Sequence, residues 1–422
     1  MKKIFFIASM LMLTAFANGQ ILKKVTDRAK NRTEQNANNK VNNTVDKTVD
    51  DAMSPNKSKD KNSADTTKKQ ETTTEAKSES GPVSFKTYSK YDFVPGEKII
   101  GFEDFSTGSI GDFPAGWNTN SAGEIVTVDG KPGRWLWITK PGVFIPEFTD
   151  KYPEDFTFEF DLLHGVPVSS ASFHVALAEL QSMDHLPSWN TSQHTFKAGF
   201  HITPTGQKEG AASTEIRKNG ITQSGNQVNT ELMSDAFNPV HISIWRQKER
   251  VRIYVNQEKL WDIPKAISPD AKLNAILFPI VSAGPDTRHY IGNLRLAVGA
   301  PDTRKKMLEQ NKWVTHGILF DVNSATIKPE SYGTLKEMAN VLKEYADLKV
   351  KIIGHTDADG ADVANLDLSK RRAASVKFAL AKEFGIDESR METDGKGEGE
   401  PIEKNDTSAG KANNRRVEFI KI

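Results

Sequence analysis

Carboxylates, guanidiniums and amides gather in the last quarter of this chain, in a pattern that suits holding a ligand more than breaking a bond. Asp357 and Asp359 stand in HTDADG, directly after the strand-like LKVKIIG. Arg371 and Arg372 stand in SKRRAAS on a helical pattern, and Asn414, Arg415 and Arg416 precede VEFIKI at the C-terminus. Each has a plain structural use as well. An Asp in a Gly-rich loop caps a turn, a Lys-Arg-Arg run can be a solvated helix face, and charges on a strand edge discourage aggregation. His355 is a single His without neighbours at metal-ligand spacing, which reads as structural. A nucleophile with its base, a HExxH helix and a P-loop are all missing from this region. The residues therefore point to a binding module, with no catalytic residue, metal or cofactor implied.

The elements that must position these groups follow from periodicity. From about 310 the pattern predicts strand GILFDV, helix ESYGTLKEMANVLKEYA, strand LKVKIIGH, a Gly/Asp loop, a helix through LSKRRAASVKFALAKEF, and short strands ending in RRVEFIKI. Leu335, Met338, Leu342 and Tyr345 share one helix face, and Val376, Leu380 and Phe384 share another. Helices packed on one side of a small mixed sheet would bury both stripes.

Upstream, from about 95 to 300, short runs at β spacing alternate with Gly, Pro, Asn and Asp. Examples are RWLWIT, FTFEFDLL and AILFPIVSA. Many short strands with turn signals and no helical period predict an all-β antiparallel sandwich of jelly-roll type. In PVHISIWRQKERVRIYVNQEKLWDIP, Ile242 and Ile244 face one way, QKER reverses the chain, and Val251, Ile253 and Val255 alternate back. A transmembrane barrel fits less well, because charges interrupt strands too short for a lipid-facing row of about ten residues.

The beginning of the chain has another character. MKKIFFIASMLMLTAFANGQ carries basic Lys2 and Lys3, an apolar run from Ile4 to Phe16, and small Ala15 and Ala17. That is the pattern of a secretory signal peptide cleaved after Ala17 or Gly19. Val41, Val45, Val49 and Met53 recur every four residues in a weakly helical segment, and residues 54–82 hold almost nothing apolar. Such a stretch cannot offset its ordering entropy and is expected to be a disordered linker. Expected boundaries are therefore a signal at 1–19, a tether at 20–94, a sandwich at 95–300 and a helix-and-sheet domain at 301–422. Lys+Arg 56 against Asp+Glu 55 leaves no basic excess for nucleic acid, and the absence of cysteine excludes disulfides and a thiol-linked lipid. No later stretch has the apolar length of a membrane helix, so the mature chain is expected to have no transmembrane segment.

The last region resembles the OmpA C-terminal family over its full length. The resemblance rests on FDVNSATIKPES at 320–331, IIGHTDADG at 352–360, NLDLSKRRAASV at 365–376, GEGEP at 397–401 and GKANNRRVEF at 410–419. It implies non-covalent binding of the diaminopimelate-type stem peptide of peptidoglycan. The free end of diaminopimelate is a zwitterion, which calls for a fixed anion and a fixed cation a few ångströms apart. A guanidinium can fork a carboxylate with two parallel hydrogen bonds, and an ammonium cannot. By position in the family motifs the anion is Asp357 and the cation Arg372, with Asn323, Asn365 and Arg415 lining the pocket. Lys411 stands where the family more often has Arg, outside the pocket.

The middle region loosely resembles laminin-G and concanavalin-like sandwiches, which host glycan binding, glycan hydrolysis and protein contact alike. A laminarinase-type hydrolase needs ExDxxE on one strand face. Here Glu159 and Asp161 share a face, as on any exposed polar sheet face, and His164 replaces the last carboxylate of the pattern. Trp117, Trp135, Trp137 and Trp189 could stack on sugars, while Trp245 and Trp261 on the hairpin suit core packing. His164, His174, His201 and His241 lack metal spacing. The expectation is a non-enzymatic, exported protein of the periplasm, associated with peptidoglycan and the outer membrane, whose sandwich meets a glycan or an envelope protein. The rival is a glycan-processing enzyme localised by its C-terminal domain.

Overall fold

The alternation of FTFEFDLL organises the larger part of the molecule. In strand β6 (Asp155–His164), Phe156, Phe158, Phe160 and Leu162 enter a core while Thr157, Glu159 and Asp161 face away from it. The computed structural model describes residues 91–164, 173–180, 186, 196–203, 210–218, 221–230, 238–281, 283, 288–299 and 302–422. The expected signal peptide, the 21–53 segment, the 54–82 linker, Trp189 and the His201 side chain lie outside what is described.

Strands β1 (Lys98–Glu103), β3 (Gly123–Val128), β4 (Lys131–Ile138), β6, β11 (Val240–Gln247), β12 (Arg250–Val255), β13 (Glu258–Ile263) and β15 (His289–Val298) form one sheet. Its order is β13-β12-β11-β6-β15-β4-β3, with β1 also on β15. The second sheet runs β10-β9-β8-β7-β14-β5-β2, from β2 (Trp117–Thr119), β5 (Gly142–Pro146), β7 (Phe173–Ala178), β8 (Phe196–Thr203), β9 (Gly210–Lys218), β10 (Ile221–Thr230) and β14 (Ala275–Ile280). The two sheets share one core, in which Phe158, Ile242 and Ile253 of the first meet Phe144, Val175 and Phe278 of the second. Phe160 meets Phe278 edge-on at 5.1 Å. Burying each such side chain contributes about 1.5–3 kcal/mol. The hairpin register is Ile242↔Val255, Ile244↔Ile253 and Gln247↔Arg250, so Lys248 and Glu249 make the turn.

Tyr91, Phe93 and Val94 differ from the expected tether, which was to run to residue 94. They are at most 6% exposed, and Tyr91 and Phe93 pack with Trp245 and Tyr254. The apolar area of two aromatic rings outweighs the ordering cost of so short a segment.

The C-terminal part comprises α1 (Thr303–Glu309), β16 (Lys312–Thr315), α2 (Tyr332–Glu344), β17 (Val350–His355), α3 (Asp362–Phe384), β18 (Met391–Gly397), α4 (Ser408–Asn414) and β19 (Val417–Lys421). Its sheet is mixed, in the order β16-β19-β17-β18 with β17 and β18 parallel. Leu335, Met338 and Leu342 of α2 and Val376, Leu380 and Phe384 of α3 are buried on it with Ile352 and Phe419. Gly385, at φ +70°, ends α3 in the left-handed conformation that glycine tolerates. GILFDV is not a strand: only Phe320 bridges to Ile327, and the strand that pairs with β19 at this edge is β16. The reason is local, because the Ser331 hydroxyl bonds both the N–H and the carbonyl of Leu319. No helix among the described residues is long and apolar enough to cross a membrane.

The outer face of the first sheet meets this C-terminal part. The Asn413 amide exchanges two hydrogen bonds with the backbone of Ile99, at 3.0 and 2.8 Å. Arg295 of β15 donates to the His316 carbonyl at 2.7 Å.

Candidate functional site

β17 is a central strand, so the chain that leaves its end emerges in the middle of the C-terminal sheet. Thr356 and Asp357 follow directly and are 4% and 8% exposed. The loop then folds back on itself: Asp359 N–H donates to Asp357 Oδ1 at 3.2 Å. The Asn365 amide, from the first turn of α3, donates to the Asp359 carbonyl at 3.1 Å and to Glu398 Oε2 at 2.5 Å. Asn365 thus holds the loop in shape. Two glycines let α3 lie against the strands, since a Cβ at Gly354 would stand 2.3 Å from the Ser369 carbonyl oxygen and one at Gly395 2.4 Å from Lys370 N. That close approach brings Arg372 to the end of β17.

Arg372 is fixed by the Ser324 carbonyl, 3.0 Å from its Nε, and by the Phe320 ring, whose centroid is 4.9 Å away. It makes no ion pair among the described residues. Burial, then Arg415 nearby, pushes its pKa down to about 10, so it is charged at neutral pH. Arg415 caps α4 and donates from Nη1 to Asp357 Oδ2 at 2.5 Å, and its guanidinium lies 5.0 Å from the ring centroid of Phe102 in β1. Asn323 stands at φ +54° on the exposed 321–324 turn. All five residues expected from the sequence, Asp357, Arg372, Asn323, Asn365 and Arg415, line one cavity of about 670 Å³.

The arrangement differs in one respect from the expected pair. The direct partner of Asp357 is Arg415, and Arg372 is the guanidinium without a carboxylate. Each Asp357 oxygen retains acceptor capacity beyond its one bond, so a ligand ammonium can share the carboxylate with Arg415 while Arg372 takes a ligand anion. No sequence pattern marks Phe102, which comes from a strand more than three hundred residues from Arg415. Glu398 lies within GEGEP, but its bond to Asn365 joins residues 33 apart and has no local signal.

The neighbouring residues have structural work. Asn414 is fully buried and ties Ile402, Glu403 and Asn405 to α4, so it is not a strand-edge group. Arg416 bonds Glu418 at 2.8 Å in the interior. Burial raises the Glu418 carboxyl, but Lys312 and Arg416 hold it below the usual range. His355 is pushed down to about 4 by burial and by Arg416, which leaves it neutral. Among the described residues no group of three or more His, Asp or Glu could hold a metal ion. Lys411 pairs with Asp359 at 2.7 Å.

Glu159 and Asp161 do share a face, on which Glu159 is buried, Asp161 is half-buried on the cavity wall, and both are ion-paired. Arg295 forks Glu159 with bonds of 2.6–2.9 Å, and His241 bonds Asp161 at 2.7 Å. Burial would raise both carboxyls, yet Arg295 and His241 hold Glu159, and His241 and Asn293 hold Asp161, below their ordinary values. Neither is kept protonated, as a glycosidase general acid must be. Trp117 stacks on Phe278 within the core, Trp245 and Trp261 are buried, and Trp137 stacks on Tyr290.

Residues 319–415 match the model of the OmpA family. This part of the chain is an OmpA-like domain. Probable lipoprotein YiaD of Escherichia coli (strain K12) is 48% identical over 104 residues, 25% of this chain and 47% of that protein. Outer membrane porin F of Pseudomonas fluorescens is 44% identical over 101 residues, 24% of this chain and 31% of that protein. The chain therefore spans less than half the length of these curated relatives. A crystal structure of the peptidoglycan-associated lipoprotein from Burkholderia pseudomallei aligns with 29% of this chain and 98% of its own, at 26% identity and a TM-score of 0.25.

Proposed function

We propose that this is an exported envelope protein whose OmpA-like domain holds the diaminopimelate end of a peptidoglycan stem peptide without cutting it. The observation that carries the reading is the unpaired Arg372 guanidinium in one cavity with the Asp357 carboxylate. A zwitterion would meet a counter-charge at both ends there, and the cavity has no activated nucleophile to attack it. The signal-like N-terminus and the outer-membrane relatives support a place in the periplasm, beside the wall and the outer membrane. The two packed sheets, which we read as a jelly-roll sandwich, are then tethered to the wall and remain available to a glycan or an envelope protein. The enzyme reading is weaker, because Glu159 and Asp161 are both held ionised.

The test uses the chain from residue 20 onward with diaminopimelate-type sacculi. It should co-sediment and be displaced by free diaminopimelate, and Asp357→Ala should abolish sedimentation while the fold persists. Sedimentation untouched by Asp357→Ala, or no release by diaminopimelate, would overturn the reading.

A further inference from the structure

The cavity is wider than one diaminopimelate side chain requires. Its volume of about 670 Å³ lies mid-range among pockets for drug-sized ligands, about 300–1,000 Å³. The wall facing Asp357 and Arg372 is the outer face of the first sheet, where Trp135, Asp161, His241 and Asn293 line the space. Here the fixed charges cancel in pairs, Glu159 with Arg295 and Asp161 with His241. What remains is hydrogen-bonding capacity with little net field. Asp161 accepts from His241 on one oxygen and from Asn293, at 2.6 Å, on the other, and each oxygen keeps room for a further donor. Asn293 is exposed at φ +52°, at a bulge between Gly292 and Arg295 that turns its side chain out of the ladder. Trp135 is 2% exposed, and its indole N–H has no hydrogen-bond partner among the described residues. A buried N–H of this kind is costly unless an acceptor meets it.

The geometry points to a second subsite on this wall, which takes a neutral sugar bearing hydroxyl and acetamido groups. The sugar belongs to the same polymer whose peptide end Asp357 and Arg372 hold, so this inference rests on the stem-peptide reading above. Sugar hydroxyls donate to Asp161 and the Asn293 carbonyl, and a sugar oxygen accepts from the Trp135 indole. A charged group gains little there, because the charges of the wall are already matched. Stem peptides hang from an N-acetylated sugar, so one ligand can reach both subsites, and the second contact becomes intramolecular.

Calorimetric titration of the chain from residue 20 onward, with three probes, tests this. They are free diaminopimelate, a bare stem tripeptide ending in diaminopimelate, and the same tripeptide carried on N-acetylmuramic acid. The muramoyl peptide should bind at least about tenfold more tightly than the bare one. Asn293→Gly keeps the left-handed backbone and removes the amide, and Trp135→Phe removes the indole N–H. Each should shrink the ratio to within about twofold while the bare tripeptide binds as before. Equal binding of both peptides, or a ratio that survives both substitutions, overturns the sugar subsite and leaves the stem-peptide reading standing. If no diaminopimelate probe binds at all, both fall together.

Discussion

Arg371 and Arg372 are neighbours on one helix, and their surroundings differ completely. Arg371 is half-exposed and pairs with Asp367 four residues back, while Arg372 lies between Phe320 and the Ser324 carbonyl inside the cavity. The helical step of about 100° separates them. Truncating one partner of a desolvated charge pair costs about 2–5 kcal/mol, so Arg372→Ala should weaken sacculus binding at least about tenfold. Arg372→Lys should also fail substantially, because an ammonium keeps the charge and loses the fork. Arg371→Ala should do little, since an exposed i,i+4 pair contributes only about 0.3–0.5 kcal/mol. Co-sedimentation isotherms of the three variants, with near-ultraviolet circular dichroism as the check on folding, measure this. Equal losses from both arginines would mean diffuse charge and no pocket.

At the scale of elements, two contacts decide whether these residues meet. The first is the close seating of α3 on β17 and β18. Gly354→Ala would drive a methyl into the Ser369 carbonyl, and overpacking of this kind costs about 1–3 kcal/mol. Displacement of α3 carries Arg372 with it, so urea unfolding should shift and sacculus binding should fall in the same variant. The second is the amide of Asn413, which pairs with both backbone groups of Ile99. Asn413→Ala leaves a buried N–H and a buried carbonyl without partners and should lower the unfolding free energy by about 2–4 kcal/mol. An unchanged urea midpoint would show that the sheet unit and the OmpA-like domain do not depend on this contact. α2 and α3 were legible in the sequence because their apolar stripes repeat at 3.6 residues. GILFDV has a strand's pattern without being one, because a buried run of that length fits a strand or an irregular segment equally well, and the Ser331 hydroxyl decides which.

For the whole molecule, pH reports on buried histidines of opposite kinds. Burial pushes His316 and His355 down to about 4 and His164 down to about 3, so all three are neutral in the fold. An unfolded chain takes up their protons near pH 6.5, so this stability is present above that value and lost as pH falls toward 4. His241 is the reverse: burial would lower it, but Asp161 and Glu159 push it up to about 10. Its contribution is complete below pH 6.5 and is lost as pH rises through about 10. Urea midpoints should therefore peak near neutrality. His316→Gln should flatten the acid limb by about 2 kcal/mol between pH 6.5 and 4.5, and an acid limb unchanged by that substitution would contradict the assignment. Local patterns carried much of this protein: the strand alternation, the two helix stripes, and the ordered motifs whose resemblance to the OmpA family implies Asp357, Arg372, Asn323, Asn365 and Arg415 as the ligand-holding set. They are legible because periodicity and motif spacing are properties of neighbouring residues. The partner of Asp357, the pairing of Glu159 with Arg295 and of Asp161 with His241, the burial of Tyr91 and Phe93, and the stacking of Phe102 on Arg415 had no such signal. They depend on which sheet face meets which domain, and that is set by the summed packing of residues far apart in the chain.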